Sequence, residues 1–157
     1  MDDKTEAETQ PEKQLTTAKS LNSEAGRTQI EDVIKAYVSD WAPLVTGGHK
    51  LVVRFDEQNA TATAISEPRY REHTVNFNIQ RIQSRLDDPT FDLEEHVVHE
   101  LCHRLTWRVW EFAAQALKGK DMQHLWEWTL EEMHEEATTR IAWALLEARY
   151  DHGGDDD

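Results

Sequence analysis

The sequence contains little of several features on which particular classes of protein depend. Cys102 is the single cysteine in 157 residues, so no disulfide can form within the chain and we expect a reducing compartment. No run of about 18 apolar residues occurs, and the N-terminus has no apolar signal core. From these absences we expect a soluble, cytoplasmic protein that does not act as a membrane protein.

Basic residues are also scarce. The 17 Lys and Arg residues stand against 31 Asp and Glu residues, which gives a formal net charge of −14 at pH 7. The basic residues are scattered and form no dense cluster in the sequence. Because an acidic surface repels phosphate backbones, this composition argues against nucleic acid as a partner. The simplest interpretation of the charge is solubility.

Large apolar side chains are almost absent from both ends of the chain. Residues 1–26 are rich in Glu, Lys, Thr and Gln, and residues 151–157 consist mainly of Gly and Asp. Such segments cannot bury enough apolar surface to offset the entropy lost on ordering. We therefore predict a disordered N-terminal segment over 1–26, one folded domain over 27–150 and an acidic tail over 151–157.

Hydrophobic periodicity within the central region predicts an α+β domain. An amphipathic helix begins at Thr28, which forms a capping box with Glu31, and ends near Pro43 and the glycine pair that follows. Three short segments then have the composition and alternation of strands: 50–55, 60–65 and 73–79. We predict that they form a small, mostly antiparallel sheet.

Two longer helices are predicted after the sheet. The first runs from about residue 93 to Leu117, and a capping box of Asp92 and Glu95 precedes it. Its apolar side is formed by Val98, Leu101, Cys102, Leu105, Val109, Phe112 and Ala116. The second runs from about Gln123 to Tyr150, and its apolar stripe is formed by Trp126, Leu130, Met133, Ala137, Ile141, Ala144 and Ala148. We expect both stripes to pack in the core.

The first of these helices contains the most informative motif in the chain. Residues 99–103 read His-Glu-Leu-Cys-His, an H-E-x-x-H sequence. Positions i and i+4 share a helix face, so His99 and His103 can bind one metal ion. Glu100 lies about 100° round the helix from His99, within reach of a water at the metal. This arrangement is typical of a zinc hydrolase.

A zinc hydrolase usually has three protein ligands and one position open to water, so the motif needs a third ligand. The acidic helix downstream offers several groups that bind Zn²⁺: His124, Glu131, Glu132, His134, Glu135 and Glu136. Their spacing from the motif does not choose among them.

The motif and the acidic helix together resemble the gluzincin group of zinc metallopeptidases, including small phage-encoded members. The ligand in that group is often the second Glu of an N/E-E-A-x-x-D stretch, and residues 135–140 read Glu-Glu-Ala-Thr-Thr-Arg. The resemblance covers roughly residues 49–148 and implies a zincin-like fold in which the last helix bears a ligand. It implies a Zn²⁺ cofactor and four site residues: His99, His103 and Glu136 as metal ligands, and Glu100 as the catalytic base.

The chain departs from the gluzincin pattern at one position. Many gluzincins place an Asp four residues after the ligand Glu, where it supports a His ligand, whereas this chain has Arg140. We expect Thr139 or Glu135 to provide that support instead. The sequence His-Glu-Leu-Cys-His is also similar to SprT-like metalloproteases, which use a third His, and that resemblance implies His124.

These features favour hydrolysis of peptide bonds, with a peptide or protein as the substrate. We expect the strand at 73–79 to form the edge of the cleft and to pair with an extended peptide. Tyr70, Arg71 and His73 are candidates to stabilise the oxyanion. Two alternatives remain: a zinc-stabilised binding module without catalysis, and an acidic interaction protein without metal.

The remaining histidines have no metal-binding pattern. His96 lies one turn before the motif on the same face, and we expect it at the cleft edge or facing solvent. We expect His49, His73 and His152 at the surface.

Overall fold

A computed structural model describes residues 24–57, 60–67, 72–118 and 123–151. The elements in chain order are α1 (Glu24–Val45), β1 (Lys50–Arg54), β2 (Ala62–Glu67), β3 (Glu72–Phe77), α2 (Ile79–Arg85), α3 (Leu93–Leu117) and α4 (Gln123–Asp151). This part of the protein is α+β and mostly helical, as predicted. Among the described residues, no helix combines the length and apolar character that a membrane-spanning segment needs.

The two ends that are predicted to be disordered lie mostly outside the described residues. This applies to residues 1–23 and 152–157. α1 already begins at Glu24, however, and the Thr28 hydroxyl donates a hydrogen bond to the Glu24 carbonyl oxygen at 3.0 Å. Residues 24–26 are therefore helical, and Thr28 lies within the helix instead of capping it. The predicted capping box is wrong.

The sheet has the strand order β1-β3-β2. β1 pairs parallel with β3, whereas β2 pairs antiparallel with β3. β3 inserts between the two earlier strands and runs in the same direction as β1, so the sheet is mixed and the prediction of a mostly antiparallel sheet is wrong. Because β3 is the central strand, it cannot be the edge that pairs with a peptide. Within the described residues, the edges are β1 and β2.

α2 replaces the end of the third predicted strand. The side chain of Asn78 accepts a hydrogen bond from the Arg81 backbone N–H at 3.2 Å, which caps a new helix. Ile79 is therefore the first residue of α2, and its side chain joins the core with that of Ile82.

The core lies between the sheet, α1 and the first half of α3. β3 buries every second side chain, and Val75 and Phe77 are fully buried. α1 contributes Ile30, Ile34 and Trp41, and α3 contributes Val97, Val98 and Leu101. The indole N–H of Trp41 also donates to Glu94 Oε1 at 2.7 Å, which ties α1 to the start of α3.

α3 packs along only part of its length. Its buried residues all lie between Leu93 and His103, whereas Val109 is 74% exposed and Phe112 is 76% exposed. The prediction that the whole apolar side packs is therefore wrong. α3 has 25 residues and spans about 37 Å, whereas strands of five or six residues span at most about 20 Å. The sheet is too short to cover the second half of the helix.

α4 runs antiparallel to α3 and uses a different face from the one predicted. The Tyr150 hydroxyl donates to Glu94 at 2.7 Å and the Trp143 indole N–H donates to Glu95 at 2.6 Å, which joins the end of α4 to the start of α3. Thr138 and Ala142 are the buried residues of α4 over 127–151, whereas Met133, Ala137 and Ala144 from the predicted stripe are exposed. The observed packing face is rotated by about one residue, or roughly 100°, from the predicted stripe.

Candidate metal centre

The motif is held on an unbroken stretch of α3. The Asp92 side chain accepts a hydrogen bond from the Glu95 backbone N–H at 2.9 Å and caps the helix, as predicted. The helix then continues through 99–103 without interruption, and the rings of His99 and His103 lie 4.8 Å apart. The two histidines thus share one face, which is turned towards α4.

Glu135 of α4 lies opposite the two motif histidines. Its Oε2 is 3.2 Å from His99 Nε2, and its Oε1 is 3.6 Å from His103 Nε2. Ligands about 2.0–2.2 Å from a tetrahedral zinc ion lie about 3.3–3.6 Å from one another. The two separations to Glu135 are close to this spacing, and ligand atoms of His99 and His103 lie within 4.8 Å of one another, so these three side chains could hold one Zn²⁺ ion.

Glu136, the predicted third ligand, lies outside this group. Its Oε1 accepts a hydrogen bond from Arg140 Nη2 at 2.6 Å, and both side chains are exposed. Consecutive residues of a helix point about 100° apart, and the rotated packing face of α4 turns Glu135 towards α3. The structure therefore brings Glu135, not Glu136, to the two histidines. Of the other candidates, Glu131 and Glu132 are exposed and the side chain of His124 lies outside the described residues.

Glu100 is buried next to the histidines. It is 6% exposed, and its carboxylate lies within 4.8 Å of ligand atoms of His99 and His103. Its Oε2 has no hydrogen-bond partner among the described residues, and burial raises the pKa of this carboxyl to about 7. A buried, unpaired carboxylate costs free energy of folding unless a further group meets it. A water bound at a metal beside it would be such a group.

Thr139 orients the first histidine. Its Oγ1 lies 3.2 Å from His99 Nδ1. His99 Nε2–H donates to Glu135 in the metal-free protein, and a metal bound here would take the Nε2 lone pair instead while Nδ1–H donates to Thr139. Thr139 thus occupies the supporting role for which the sequence offered Thr139 or Glu135, while Arg140 pairs with Glu136 instead.

The second histidine is held in the form that binds metal. Burial lowers the pKa of His103 to about 4, so its imidazole is neutral at pH 7. The pKa of Glu135 is also lowered, chiefly by its hydrogen bond with His99, so this side chain is a carboxylate at pH 7. A neutral imidazole and an ionised carboxylate are the protonation states that coordinate Zn²⁺.

His134 is fixed by two threonines on the facing helices. Thr106 Oγ1 lies 2.7 Å from His134 Nε2 and 2.9 Å from Thr138 Oγ1, and the Thr138 hydroxyl donates to the His134 carbonyl oxygen at 2.8 Å. The ring of His134 is 5.0 Å from that of His103 and 5.7 Å from that of Trp110. His134 therefore lies against the candidate centre, and one of its nitrogens is within 4.8 Å of ligand atoms of His103 and Glu135.

His73 connects the central strand to the motif helix. It is fully buried, and its Nε2 lies 3.3 Å from the Glu100 carbonyl oxygen. The prediction that it lies at the surface is wrong. The alternation of the strand could have predicted this burial, because His73 shares its face of β3 with Val75 and Phe77, which are both apolar.

The remaining predicted positions are partly covered by the described residues. His96 does not face solvent freely, because its Nε2 is buried without a partner among the described residues and its ring lies 5.5 Å from Phe91. His49 is half-buried and contacts Arg104 of α3. Tyr70, Arg71 and His152 lie outside the described residues.

The stability of the zinc-free protein should depend on pH through His73. Burial lowers the pKa of His73 from 6.5 to about 4, so the folded protein resists a proton that the unfolded chain accepts. Stability is fully present above pH 6.5 and falls as the pH drops towards 4, by about 3 kcal/mol from this residue. Denaturant unfolding of wild type and His73→Gln at several pH values should give the shallower dependence for the variant. Identical slopes would show that His73 is not held neutral by the fold.

Comparisons with known proteins provide no relative from which a role could be transferred. No protein-family model, curated protein or solved structure matches the chain. The likeness to gluzincins therefore rests on the motif and the acidic helix of the sequence alone.

Proposed function

We propose that this protein is a zinc-dependent metallopeptidase with a zincin-like fold. The ligands are His99, His103 and Glu135, and Glu100 is the catalytic base. The observation that carries the proposal is the buried carboxylate of Glu100, which has an unpaired oxygen beside three side chains spaced to hold one metal ion. If Glu135 and the histidines formed only a structural ion pair between α3 and α4, the buried carboxylate of Glu100 beside them would have no role.

Glu100 carries the proton transfers in this mechanism. Zn²⁺ bound at the site would polarise the scissile carbonyl and lower the pKa of the attacking water towards 7. Glu100 accepts the proton of that water and passes it to the leaving amine. Its Oε2 lies beside the two histidines without a hydrogen-bond partner among the described residues, so it is placed to accept that proton. Thr139 keeps His99 oriented throughout.

The substrate would bind along β2. This strand lies at the edge of the sheet and packs against the motif helix, and Ile65 on it is exposed. An extended peptide can add to such an edge through backbone hydrogen bonds. β2 therefore takes the role that the sequence analysis assigns to the strand at 73–79. A sheet edge above a motif helix, with a ligand-bearing helix after it, supports a zincin-like arrangement.

Metal content and peptide cleavage test this function together. We expect purified protein to bind about one zinc per chain and to cleave bonds within a mixture of unstructured peptides, followed by mass spectrometry. A chelator should abolish cleavage, and added Zn²⁺ should restore it. Failure to bind zinc would contradict the proposal and leave an acidic interaction protein as the better account.

A second function, a zinc-stabilised binding module, is favoured by the position of His134. This ring is held against His103 by the Thr106 hydroxyl, where it could serve as a fourth protein ligand. Four protein ligands close the coordination shell and are typical of structural zinc. One zinc per chain, a raised melting temperature and no cleavage of any peptide would support this module over the peptidase.

A further inference from the structure

A groove along α4 lies next to the candidate centre, and apart from Glu135 its residues take no part in the mechanism above. It has a volume of about 560 Å³ and is lined by Trp128, Glu131, Glu132, Glu135 and Glu136. Since Glu135 belongs both to this groove and to the proposed metal-ligand set, the groove reaches the candidate centre.

Two of the carboxylates in the groove are not neutralised. Glu136 is paired with Arg140, and Glu135 faces the histidines. Glu131 and Glu132 form no ion pair with any residue in the described parts of the chain. The groove therefore carries two negative charges that a ligand of opposite sign can meet.

Trp128 lines the same groove as the carboxylates of Glu131 and Glu132 and adds an aromatic ring to it. Its side chain is 60% exposed although it is large and apolar. Lys and Arg side chains place their methylene groups on apolar surfaces and their charged ends over aromatic rings or beside carboxylates. An exposed indole next to unpaired carboxylates suits such a side chain.

The end of the groove at the metal-ligand set distinguishes it from an acidic face that is merely solvated. Glu100 is directed into that set with its unpaired Oε2, and it is 6% exposed. Glu131 precedes Glu135 by four residues, or about 6 Å along the helix. An extended peptide advances about 3.3 Å per residue, so about two peptide residues span the distance from Glu131 to Glu135.

We propose that this groove selects peptides that carry Lys or Arg close to the cleaved bond. Trp128 packs on the aliphatic part of the basic side chain, and Glu131 and Glu132 receive its charge. The inference rests on the proposed peptidase function, because it identifies the substrate class of the same site.

Affinity selection with an inactive variant tests the inference without relying on cleavage. Zinc-loaded Glu100→Gln protein is immobilised and exposed to a random octapeptide library that contains norleucine, and the bound peptides are sequenced by mass spectrometry. We expect Lys and Arg to be enriched about tenfold over norleucine, and the enrichment to fall as salt rises. Adding Glu131→Gln and Glu132→Gln should remove the enrichment. Adding Glu147→Gln, an exposed position on α4 outside the groove, should leave it unchanged.

The outcomes separate this inference from the function on which it rests. No enrichment of basic residues, or equal enrichment in the Glu131→Gln/Glu132→Gln protein, overturns the groove as a selector. Equal loss in the Glu147→Gln control also overturns it, because the attraction would then come from the overall negative charge. If wild-type protein leaves the same library intact while the selective enrichment persists, peptide hydrolysis is contradicted and recognition of basic peptides is supported.

Discussion

Replacement of Glu100 by Gln is expected to abolish peptide hydrolysis while the zinc content stays at the wild-type level. Gln keeps the size of the side chain but cannot accept the proton of the attacking water. Loss of a general base lowers the rate by about 10²–10⁴-fold. Removing a buried carboxylate that has an unpaired oxygen should leave the folding stability equal or higher.

The matched control for this variant is Glu111→Gln, which changes the same type of residue on the same helix outside the metal-ligand set. It should retain both zinc and activity. Equal rates for Glu100→Gln and wild type would contradict the peptidase mechanism. Loss of zinc in Glu100→Gln would instead indicate that this carboxylate is a ligand and not a base.

Replacement of Glu135 by Gln should weaken zinc binding strongly, whereas replacement of Glu136 by Gln should not. Glu135 lies 3.2 Å and 3.6 Å from the two histidines, so Glu135→Gln removes a charged ligand. Loss of a group that only orients a ligand costs about 10–100-fold in affinity, and loss of the ligand itself should cost at least ~100-fold. Glu136→Gln removes an exposed ion pair with Arg140, which is worth at most about 1 kcal/mol and includes none of the proposed ligands.

Competition with a chromophoric chelator measures both affinities under the same conditions. Because the two positions are adjacent and the substitutions identical, differences in helix propensity cancel between the variants. A greater loss of zinc affinity in Glu136→Gln than in Glu135→Gln would support Glu136 as the ligand, as the gluzincin resemblance implies. Equal affinities in both variants and wild type would mean that neither of these two carboxylates binds zinc.

The features that the sequence predicted correctly are local ones. The start of α3 follows from the Asp92 side chain and the Glu95 backbone N–H, which are three residues apart. The shared face of His99 and His103 follows from helix geometry alone. Both depend on neighbours within one turn, so no knowledge of tertiary packing is needed.

The third group of the centre could not be chosen from the sequence because it depends on how α4 rotates against α3. An apolar stripe through Met133, Ala137 and Ala144 predicts one rotation, but these residues are exposed. The helix instead turns Thr138 inwards, where its hydroxyl contacts that of Thr106. Hydrogen bonds satisfy the buried polar groups on this face, which a search for apolar periodicity overlooks.

The order of the strands in the sheet could not be predicted either, because it depends on contacts between residues that are far apart in the sequence. Alternation located the three strands to within two residues but gave no information on their order. β3 lies between β1 and β2, and this position decides both the parallel pairing and which strand is the edge. The depth of His73 follows from the same insertion, because the central strand is covered by α3.

The central claim is that one zinc ion is held by His99, His103 and Glu135. Anomalous diffraction at the zinc absorption edge, from crystals grown with Zn²⁺, tests it most directly. The account predicts a single strong peak about 2.0–2.2 Å from His99 Nε2, His103 Nε2 and a carboxylate oxygen of Glu135. A peak that lacks the two histidines, or one coordinated by Glu136 instead of Glu135, would contradict it.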